Sequence, residues 1–362
     1  MVILHISSIT NNQASGMSVV VPLHVQYQNL HADVALLNCS NIVPNIGDGN
    51  FPMFTTVDCE DGDITKLPSP YNKPDLVIIH GLYIPFYSKI VKVLLRNKLP
   101  YILVPHGSLS KAAQDKKRLK KLLANLLIFD RIVKKAKAIQ YLSKEEQKTT
   151  IAKNNNSFIG CNGMNIGSTL KDSFMNEDSF KMIFIGRLDP FHKGIDLLLQ
   201  ACNGIKSEMR QKKIILSIYG PDHEGGKDHL TTMINDFDIG DIVSINDGLF
   251  GKEKIAQLLN SDIFIQTSRF EGQPLGVMEA LANGVPVIVT PGTNMADDVK
   301  NNNCGWKADS EAEDIGRTII EAYNNKDKLN IFSHNAVKFI KDNFEWTQVT
   351  HETVEKYKEI LR

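Results

Sequence analysis

The sequence contains no long hydrophobic run. None of its apolar stretches approaches the roughly 18–20 residues that a membrane-spanning helix needs. Its start, Met1–Ser7, lacks the charged segment and the small-residue cleavage site of a signal peptide, and its apolar residues instead predict a buried strand. We therefore expect a cytoplasmic protein.

Cysteine is scarce and scattered. The five cysteines are odd in number and form no C-x-x-C pair: Cys39, Cys59, Cys161, Cys202 and Cys304. This pattern argues against a disulfide framework and a zinc site, and it fits reduced thiols. A G-x-G-x-x-G segment is also missing, which argues against a dinucleotide site and so against an NAD-dependent dehydrogenase.

The chain has no net charge, because 41 Lys and Arg residues balance 41 Asp and Glu residues. The balance conceals an asymmetry. Residues 1–170 carry 19 basic and 11 acidic residues, whereas residues 171–362 carry 22 basic and 30 acidic residues. A basic first half predicts that this half meets an anionic partner.

Short runs rich in Val, Ile and Leu alternate with segments of helical period. Such runs predict buried parallel strands separated by helices, and their number is enough for two doubly wound α/β domains. The predicted strands are Val2–Ser7, Val34–Asn38, Leu76–His80, Tyr101–Pro105, Ala138–Leu142, Met182–Gly186, Ile214–Tyr219, Ile242–Ile245, Ile263–Thr267 and Pro286–Thr290.

A domain boundary is predicted between residues 154 and 163, where a polar run is followed by a short strand and by Asn162-Gly163. We expect a first domain over residues 1–162 and a second over residues 163–340. The amphipathic segment 341–362 predicts a final helix that packs back on the first domain.

The most informative stretch runs from Ile263 to Leu281. A buried strand ends near Thr267, and a loop leads to Pro274, which fits the first turn of a helix. That helix is expected to stop near Asn283-Gly284, a suitable carboxyl-terminal cap. The loop therefore lies at the carboxyl end of a parallel strand, where open α/β sheets bind ligands.

Two glutamates, Glu271 and Glu279, flank the start of this helix. They occupy different levels of one cleft and suit the binding of hydroxyls at two separate groups. The N–H groups around Leu275 and Gly276 can bind a diphosphate or a sugar hydroxyl. Either glutamate alone could be a solvated surface residue, but the preceding strand and the glycines and proline between them favour a binding site.

A second motif follows the strand that ends at Gly186, before a helix that begins near Gly194. Arg187 and Lys193 bracket its loop, so both cations can converge on one anion. Two fixed positive charges would stabilise the charge that develops on a departing diphosphate. A solvated surface role is the alternative for Lys193, and it fits less well for an arginine directly after a buried strand.

In the first half, His80-Gly81 and His106-Gly107 each follow a buried strand, so both histidines face the same sheet edge. We interpret His80 as a hydrogen-bonded structural residue. His106 is the functional candidate, because Gly107 permits close approach of the backbone. The first strand-to-helix loop places Gly16 where its backbone can approach a phosphate.

Together these motifs resemble family four of the glycosyltransferases, whose GT-B fold has two Rossmann-like domains facing across a cleft. The resemblance rests on Gly186-Arg187 with Lys193-Gly194, the Glu271–Glu279 motif, His106-Gly107 and the segment 286–294. It extends from the first loop to the last helix and points to bacterial enzymes that assemble O-antigen, capsule or exopolysaccharide. The first loop departs from the pattern, since Ser15 precedes Gly16 where many relatives have a Gly-Gly pair.

The resemblance implies a role for each matching position. Donor contacts are implied for Gly16, Arg187, Lys193, Gly220, Leu249, Gln273, Pro274, Leu275, Gly276 and Glu279, and catalytic positions for His106 and Glu271. Gly16 and the two cations would hold the diphosphate, and Glu279 the ribose hydroxyls. Glu271 and the N–H groups of residues 273–276 would bind the donor sugar, and backbone near Gly220 and Leu249 would contact the base.

The resemblance also implies retaining transfer of a hexose from a UDP- or GDP-sugar to a glycan acceptor, without a bound metal. The departing diphosphate would itself help to remove the acceptor proton, and no enzymic nucleophile stands out in the sequence. Asp61-Gly62-Asp63 and Asp297-Asp298 only superficially resemble metal-binding motifs, and we predict that both are solvated loops.

Between Lys111 and Lys137 lie ten basic residues and two acidic ones. Leucines and a valine fall among them at helical spacing, which predicts a helix that can lie on an anionic membrane. The resemblance implies a glycan acceptor that is often linked to polyprenyl diphosphate, and such an acceptor would place the enzyme at the membrane. The membrane-facing candidates are Lys116, Lys117, Arg118, Lys120 and Lys121. A core stripe with a solvated cationic face is the alternative, and the lack of aromatic residues interleaved with the cations argues against nucleic acid.

Two further functions remain open at this point. A GT-B sugar-nucleotide 2-epimerase would bind the same donor without an acceptor, and the Glu271–Glu279 segment disfavours it. A partner subunit that has lost turnover would keep the fold, and the intact Arg187, Lys193 and both glutamates disfavour that reading.

Overall fold

The computed structural model describes residues 1–12, 15–40, 42, 50–115, 118–150, 154, 156–174 and 179–362, with backbone alone at 112, 115, 118–120 and 127. These residues form two units. The first comprises Met1–Gly163 together with Trp346–Arg362, and the second comprises Met164–Glu345.

The first unit is built on a seven-stranded parallel sheet. Its strands are β1 (Val2–Ser7), β2 (Asp33–Asn38), β3 (Met53–Thr55), β4 (Leu76–His80), β5 (Tyr101–Val104), β6 (Ala138–Tyr141) and β7 (Ser157–Ile159). They lie in the order β3-β2-β1-β4-β5-β6-β7, with Ile3 of β1 opposite Val34 on one side and Leu76 on the other. The central strands are buried almost throughout because both faces of the sheet are covered.

Helices follow most of these strands. They are α1 (Gly16–Gln28), α2 (Tyr87–Arg96), α3 (Lys111–Asp115), α4 (Arg118–Ala124), a π-helical turn (Asn125–Phe129), α5 (Asp130–Lys135) and α6 (Lys144–Thr149), with short 3₁₀ turns at Glu60–Gly62 and Ile64–Lys66. The hydroxyl of Ser143 caps α6 by accepting a hydrogen bond from the backbone N–H of Glu146.

The second unit has a six-stranded parallel sheet. Its strands are β8 (Phe180–Ile185), β9 (Ile214–Tyr219), β10 (Val243–Asn246), β11 (Ile263–Gln266), β12 (Val287–Val289) and β13 (Gly305–Lys307), in the order β10-β9-β8-β11-β12-β13. Its helices are α7 (Ile195–Gly204), α8 (Lys206–Lys212), α9 (Gly226–Phe237), α10 (Gly251–Leu259), α11 (Leu275–Ala282), α12 (Ala296–Asn301), α13 (Ala312–Asn324) and α14 (Leu329–Phe344), with 3₁₀ turns at Pro291–Thr293 and Lys326–Lys328.

Both sheets have Rossmann-like strand order. Each begins at an inner strand, winds to one edge, returns beside the first strand and then winds to the other edge. The direction reverses between β1 and β4 in the first unit and between β8 and β11 in the second. Ligands bind outside the carboxyl ends of the strands at such a reversal. The predicted fold of two doubly wound α/β domains is confirmed.

The last helix, α15 (Trp346–Leu361), belongs to the first unit. Trp346 stacks on Tyr27 of α1 with ring centroids 5.4 Å apart and meets the edge of His24 at 5.0 Å. Gly163 approaches the indole so closely that a Cβ there would lie 2.4 Å from its Cδ2 atom. The predicted helix over 341–362 began too early, because residues 341–344 complete α14 and Glu345 is extended.

Among the described residues, no helix has both the length and the apolar character needed to cross a membrane. The sequence analysis missed two strands, β3 and β13. Each has only three residues and lies at a sheet edge, so neither carries a run of buried apolar side chains that a pattern could detect.

We expect Trp346→Ala to lower the free energy of unfolding by about 3–5 kcal/mol, because it removes a large buried side chain and leaves a cavity beneath α15. Denaturant unfolding would measure the change. Glu359→Ala is the control on the same helix, since its ion pair with Lys356 is exposed and is worth under about 1 kcal/mol. Equal losses in the two variants would contradict the anchoring role of Trp346.

Candidate functional site

The loops that follow β8 and β11 meet at the strand reversal of the second unit. Gly194, the residue before α7, has a φ of +64°, and a Cβ there would lie 1.9 Å from the carbonyl oxygen of Thr267. Only glycine permits this approach. The Thr267 hydroxyl donates a hydrogen bond of 2.8 Å to the Gly194 carbonyl, so the backbones of the two loops are fixed against each other.

Side chains further along both loops strengthen this contact. Arg269 donates hydrogen bonds of 2.7 and 2.9 Å to the two carboxylate oxygens of Asp196. The ring of His192 stacks on Phe270 at 4.2 Å, and its Nε2–H donates to the Phe270 carbonyl at 2.8 Å. These residues hold the glycine-rich turn after β8 beside the turn that carries Glu271.

One oxygen of Glu271 receives three hydrogen bonds. Its Oε1 accepts from Lys193 Nζ at 2.6 Å, from Ser268 Oγ at 2.8 Å and from Gln266 Nε2 at 3.1 Å. Burial favours the neutral acid, but the charges of Lys193 and His192 prevail and hold the pKa of Glu271 below its usual value. Glu271 is therefore an ionised carboxylate in a nearly closed environment.

The second oxygen of Glu271 has unused hydrogen-bonding capacity. The nearest ring nitrogen to Oε2 is Nε2 of His192 at 4.0 Å, beyond hydrogen-bonding distance, and the Glu271 side chain keeps 11% of its surface exposed. No described residue donates a hydrogen bond to this atom. A bound ligand can therefore donate a hydroxyl to Oε2 while Oε1 remains fixed.

Arg187 leaves the sheet directly after β8, on the loop that ends at Lys193. Its side chain forms no hydrogen bond or ion pair with any residue in the described part of the chain. A half-buried guanidinium that has no anionic partner among the described residues is available to an external anion, and its planar fork of N–H donors suits the oxygens of a phosphate or a carboxylate.

The amino terminus of α11 completes this edge of the site. No side chain caps the helix at Pro274, so the N–H groups of Leu275 and Gly276 remain open to a ligand. The prediction that Pro274 lies in the first turn is wrong by one position, since Pro274 has a φ of −86° and a ψ of 87° and precedes the helix. The predicted stop is confirmed, because Asn283 caps α11.

Three further positions that were predicted to contact the donor lie on neighbouring elements of the same unit. Glu279 of α11 forms an ion pair with Lys254 of α10, a partner that the sequence analysis missed. Gly220 follows β9, where a Cβ would lie 1.8 Å from the Gly186 carbonyl oxygen, and half-buried Leu249 lies in the loop after β10. The candidates in this unit thus follow four adjacent strands, and Gln273 lies in the turn before Pro274.

In the first unit, the rings of buried His5 and His80 and of half-buried His106 form a row. Nδ1 of His5 lies 2.8 Å from Nε2 of His80, and Nδ1 of His80 lies 3.0 Å from Nε2 of His106. Burial lowers the pKa of His5 and His106 to about 3 each and also lowers that of His80, so all three rings are neutral at pH 7. The structure brings the predicted residues His80 and His106 together, and His5 is an addition.

The turn at His106 is held by a buried carboxylate. His106 and Gly107 both have positive φ, 51° and 78°, and the N–H of Gly107 donates a hydrogen bond of 2.5 Å to Glu146 Oε1. The other oxygen of Glu146 accepts from the N–H of Leu142 at 2.7 Å. Glu146 therefore stabilises a backbone geometry that is unfavourable for histidine.

The remaining predicted residues are partly described. Gly16 is the first residue of α1. Lys116 and Lys117 lie outside the described residues, and only the backbone of Arg118 and Lys120 is described. Lys121 does not face outward as predicted, because its ammonium donates to the Ala113 carbonyl and lies 5.4 Å from the ring centre of Tyr83.

Within the described ranges, no cluster of three or more His, Cys, Asp or Glu side chains could hold a metal ion. The two acidic motifs make surface ion pairs instead. Asp61 pairs with Lys89 and Asp297 pairs with Lys307, each at 2.7 Å. Asp297 lies on α12 and not in the loop that the sequence predicted.

Comparison with known proteins identifies the second unit. Residues 168–339 match the family described as glycosyl transferases group 1. The chain carries a group 1 glycosyltransferase domain. The family expected from the motifs is therefore confirmed.

Curated relatives of this chain are distant. The chain is 27% identical over 201 residues to the uncharacterized glycosyltransferase MJ1069 of Methanocaldococcus jannaschii, covering 53% of this chain and 47% of that protein. It is 25% identical over 148 residues to the putative colanic acid biosynthesis glycosyltransferase WcaL of Salmonella typhimurium, covering 39% and 35%. The matches thus span less than half the length of these relatives.

Solved structures resemble the whole chain. Sucrose-phosphate synthase of Thermosynechococcus elongatus has a TM-score of 0.74 at 16% identity, covering 99% of each chain. HepE of Anabaena in complex with UDP and glucose has a TM-score of 0.74 at 15% identity, covering 99% of this chain and 100% of that one. These likenesses confirm the GT-B fold.

We expect Lys193→Met to lower the free energy of unfolding by about 1–3 kcal/mol at pH 7, because Glu271 keeps its burial and loses its cation. Without Lys193 the pKa of Glu271 rises above its unfolded value, so the folded state binds an extra proton at intermediate pH and loses stability as pH increases. The difference from wild type should therefore be larger at pH 7 than at pH 4.5.

Denaturant unfolding at the two pH values measures this effect. Lys227→Met is the control, because its pair with Asp247 is exposed and contributes under about 1 kcal/mol. Adding Glu271→Gln to Lys193→Met should remove the pH dependence. A destabilisation by Lys193→Met that is the same at both pH values would contradict the buried ion pair.

Proposed function

We propose that the protein is a retaining glycosyltransferase that moves a hexose from a UDP- or GDP-sugar to a glycan acceptor. The observation that carries the proposal is the geometry at the strand reversal of the second unit. Arg187 has no hydrogen-bonding partner among the described residues. It precedes the ion pair of Lys193 with Glu271, in which Oε1 of Glu271 is hydrogen-bonded and Oε2 is not. An uncapped helix start lies on the same loop as Glu271.

The proposed site divides the donor among these groups. Arg187 and Lys193 bind the diphosphate, and Gly16 of the first unit keeps its proposed role as a backbone contact for a phosphate. Lys193 then shares its charge between Glu271 and the phosphate, and Oε2 of Glu271 accepts a hydrogen bond from a sugar hydroxyl. The N–H groups of residues 273–276 bind the sugar from the start of α11.

The nucleoside is assigned to neighbouring loops. Glu279 accepts hydrogen bonds from the ribose hydroxyls, and Lys254 fixes that carboxylate beforehand by its ion pair. The base lies against the backbone near Gly220 and Leu249. Backbone recognition of this kind fits both UDP and GDP, and the UDP bound to HepE favours a UDP-sugar as the first donor to test.

The chemistry that we propose is substitution on one face of the sugar. The bond from the anomeric carbon to the diphosphate oxygen breaks, the acceptor oxygen bonds to the same carbon, and the leaving diphosphate takes the acceptor proton. Arg187 and Lys193 stabilise the charge that develops on the diphosphate in the transition state. The proposed role of His106, in the first unit, is to bind a sugar hydroxyl, and this role needs no proton transfer.

The acceptor that we propose is linked to polyprenyl diphosphate during bacterial surface polysaccharide synthesis. The printed name of WcaL, which refers to colanic acid biosynthesis, supports this class. Leu122, Leu123 and Leu126 are 64%, 61% and 75% exposed. The core alternative therefore fails for these leucines, although Val133 is buried as that alternative expects.

Exposed cations accompany the leucines: Lys111, Arg131, Lys134, Lys135 and Lys137. The leucines can enter the lipid bilayer at its surface, and the cations can bind anionic headgroups. Together they favour docking at the inner face of the cell membrane.

Release of the nucleotide tests the reaction. Purified protein is offered UDP-, GDP-, ADP- and CMP-sugars, with and without an extract of lipid-linked acceptor. We expect acceptor-dependent release from one donor and a product whose anomeric configuration, read by NMR, matches that of the donor. Binding of a donor without any release would contradict catalysis and indicate a partner subunit, and binding of no donor would contradict the site.

Glu271→Gln should lower kcat by about 10²–10³-fold, the size of effect seen when one preorganised polar contact to the reacting group is lost. The substitution keeps the size of the side chain and removes its charge. Glu321→Gln, an exposed change in the same unit, is the control and should retain full activity. Wild-type kcat in Glu271→Gln with an unchanged melting curve would exclude the proposed role of Glu271.

Vesicle sedimentation tests the membrane surface. The protein should bind vesicles containing phosphatidylglycerol and not those of phosphatidylcholine alone, and added salt should weaken the binding. Leu122→Ser with Leu126→Ser should reduce the affinity at least tenfold, since a buried leucine contributes about 1.5–3 kcal/mol. Leu30→Ser, which changes a leucine 65% exposed elsewhere in the first unit, should have no effect.

A further inference from the structure

The three histidines of the first unit form a row of hydrogen bonds with a direction. A neutral imidazole has one N–H donor and one bare nitrogen acceptor, so each ring–ring contact requires a donor on one side only. His5, His80 and His106 are joined by two such contacts. Once the donor of one ring is fixed, the tautomers of the other two rings follow from it.

The far end of the row lies against Gln28, where Nε2 of His5 is 3.0 Å from the Gln28 side-chain oxygen. A carbonyl oxygen can only accept, so His5 carries its proton on Nε2 and leaves Nδ1 bare. His80 must then donate from Nε2 to His5, and His106 must donate from Nε2 to His80. Nδ1 of His106, which receives no hydrogen bond from a described residue, is consequently a bare acceptor.

The orientation of the Gln28 amide therefore sets the direction of the whole row. Its Oε1 atom faces His5, whereas its Nε2 atom is buried and has no hydrogen-bond partner among the described residues. The contact with His5 is thus the hydrogen bond that orients this amide.

The opposite orientation would reverse every ring. A Gln28 amide that donated to His5 would force all three histidines into the Nδ1–H tautomer, and His106 would then present a donor.

We propose that Gln28, acting through His5 and His80, fixes His106 as the Nε2–H tautomer, so that His106 offers the substrate a nitrogen that can only accept a hydrogen bond. The partner chemistry is then a sugar hydroxyl, and a phosphate or carboxylate is refused because it has no proton to donate. The inference rests on the proposed role of His106 in sugar binding. Gln28, His5 and His80 are positioning residues, since they act through His106.

Nitrogen NMR of the full chain, labelled on its histidine rings and free of ligand, tests the tautomers directly at pH 7.5. We expect the rings of His5, His80 and His106 to carry their protons on Nε2. A proton on Nδ1 of His106, or an equal mixture of both forms, would overturn the inference. This readout needs no substrate, so it stays decisive even if the proposed transferase activity fails.

Gln28→Leu removes the acceptor at the end of the row. Both directions of the row then become available, and His106 should show a mixture of the two tautomers. Gln147→Leu is the matched control, because this half-buried glutamine of the same unit bonds Ser157 and lies outside the row. An unchanged pure Nε2–H form of His106 in Gln28→Leu would show that Gln28 does not set the direction.

A conservative variant keeps the test valid if Gln28→Leu does not fold. Gln28→Glu still places an acceptor oxygen at His5 and should preserve the Nε2–H form of His106, and a switch to Nδ1–H would overturn the inference. In kinetic assays Gln28→Leu should lower kcat about tenfold and leave the Kd of the nucleotide unchanged, with Gln28→Glu restoring most of the rate. A loss confined to nucleotide affinity would contradict the positioning role.

Discussion

The candidate site of the second unit depends on one close backbone contact, that of Gly194 with Thr267. Because a Cβ at position 194 would lie 1.9 Å from a carbonyl oxygen, the turn after β8 can reach the end of β11 only with glycine there. The contact places Lys193 within 2.6 Å of Glu271, although 77 residues separate them in the chain. The charge distribution of the site therefore follows from the backbone and not from flexible side chains.

This arrangement prepares charges in advance of binding. Glu271 is ionised, and three donors bind one of its oxygens while the other oxygen has no donor. The guanidinium of Arg187 has no anionic partner among the described residues. Groups that are already oriented need not reorganise when charge develops on a leaving diphosphate, which is why such sites can stabilise transition states strongly. Burial alone would neutralise Glu271, so the lysine and the anionic form of the glutamate require each other.

Much of the fold could be predicted from the sequence because the central strands are buried on both faces and appear as continuous apolar runs. β1, β4 and β9 have the predicted bounds, whereas the three-residue edge strands β3 and β13 carry no such signal. The main candidates of the second unit could also be predicted, since Arg187, Lys193 and Glu271 follow strands that end at one sheet edge. Lys254 and His192 could not, because a lysine in a helix and a histidine in a turn look like surface residues until their partners are known.

The histidine row shows a second limit of prediction from the sequence. The sequence places His80 and His106 after neighbouring strands, yet the residue that decides their hydrogen-bonding direction is Gln28, at the end of a helix. Two buried imidazoles and a half-buried one would be costly if each were left unpaired, and their mutual hydrogen bonds remove that cost only when all point the same way. Because each ring provides the hydrogen-bonding partner of the next, the tautomer of His106 depends on the whole row. The row ends at Gln28, which is far from His106 in the chain and is linked to it through His5 and His80.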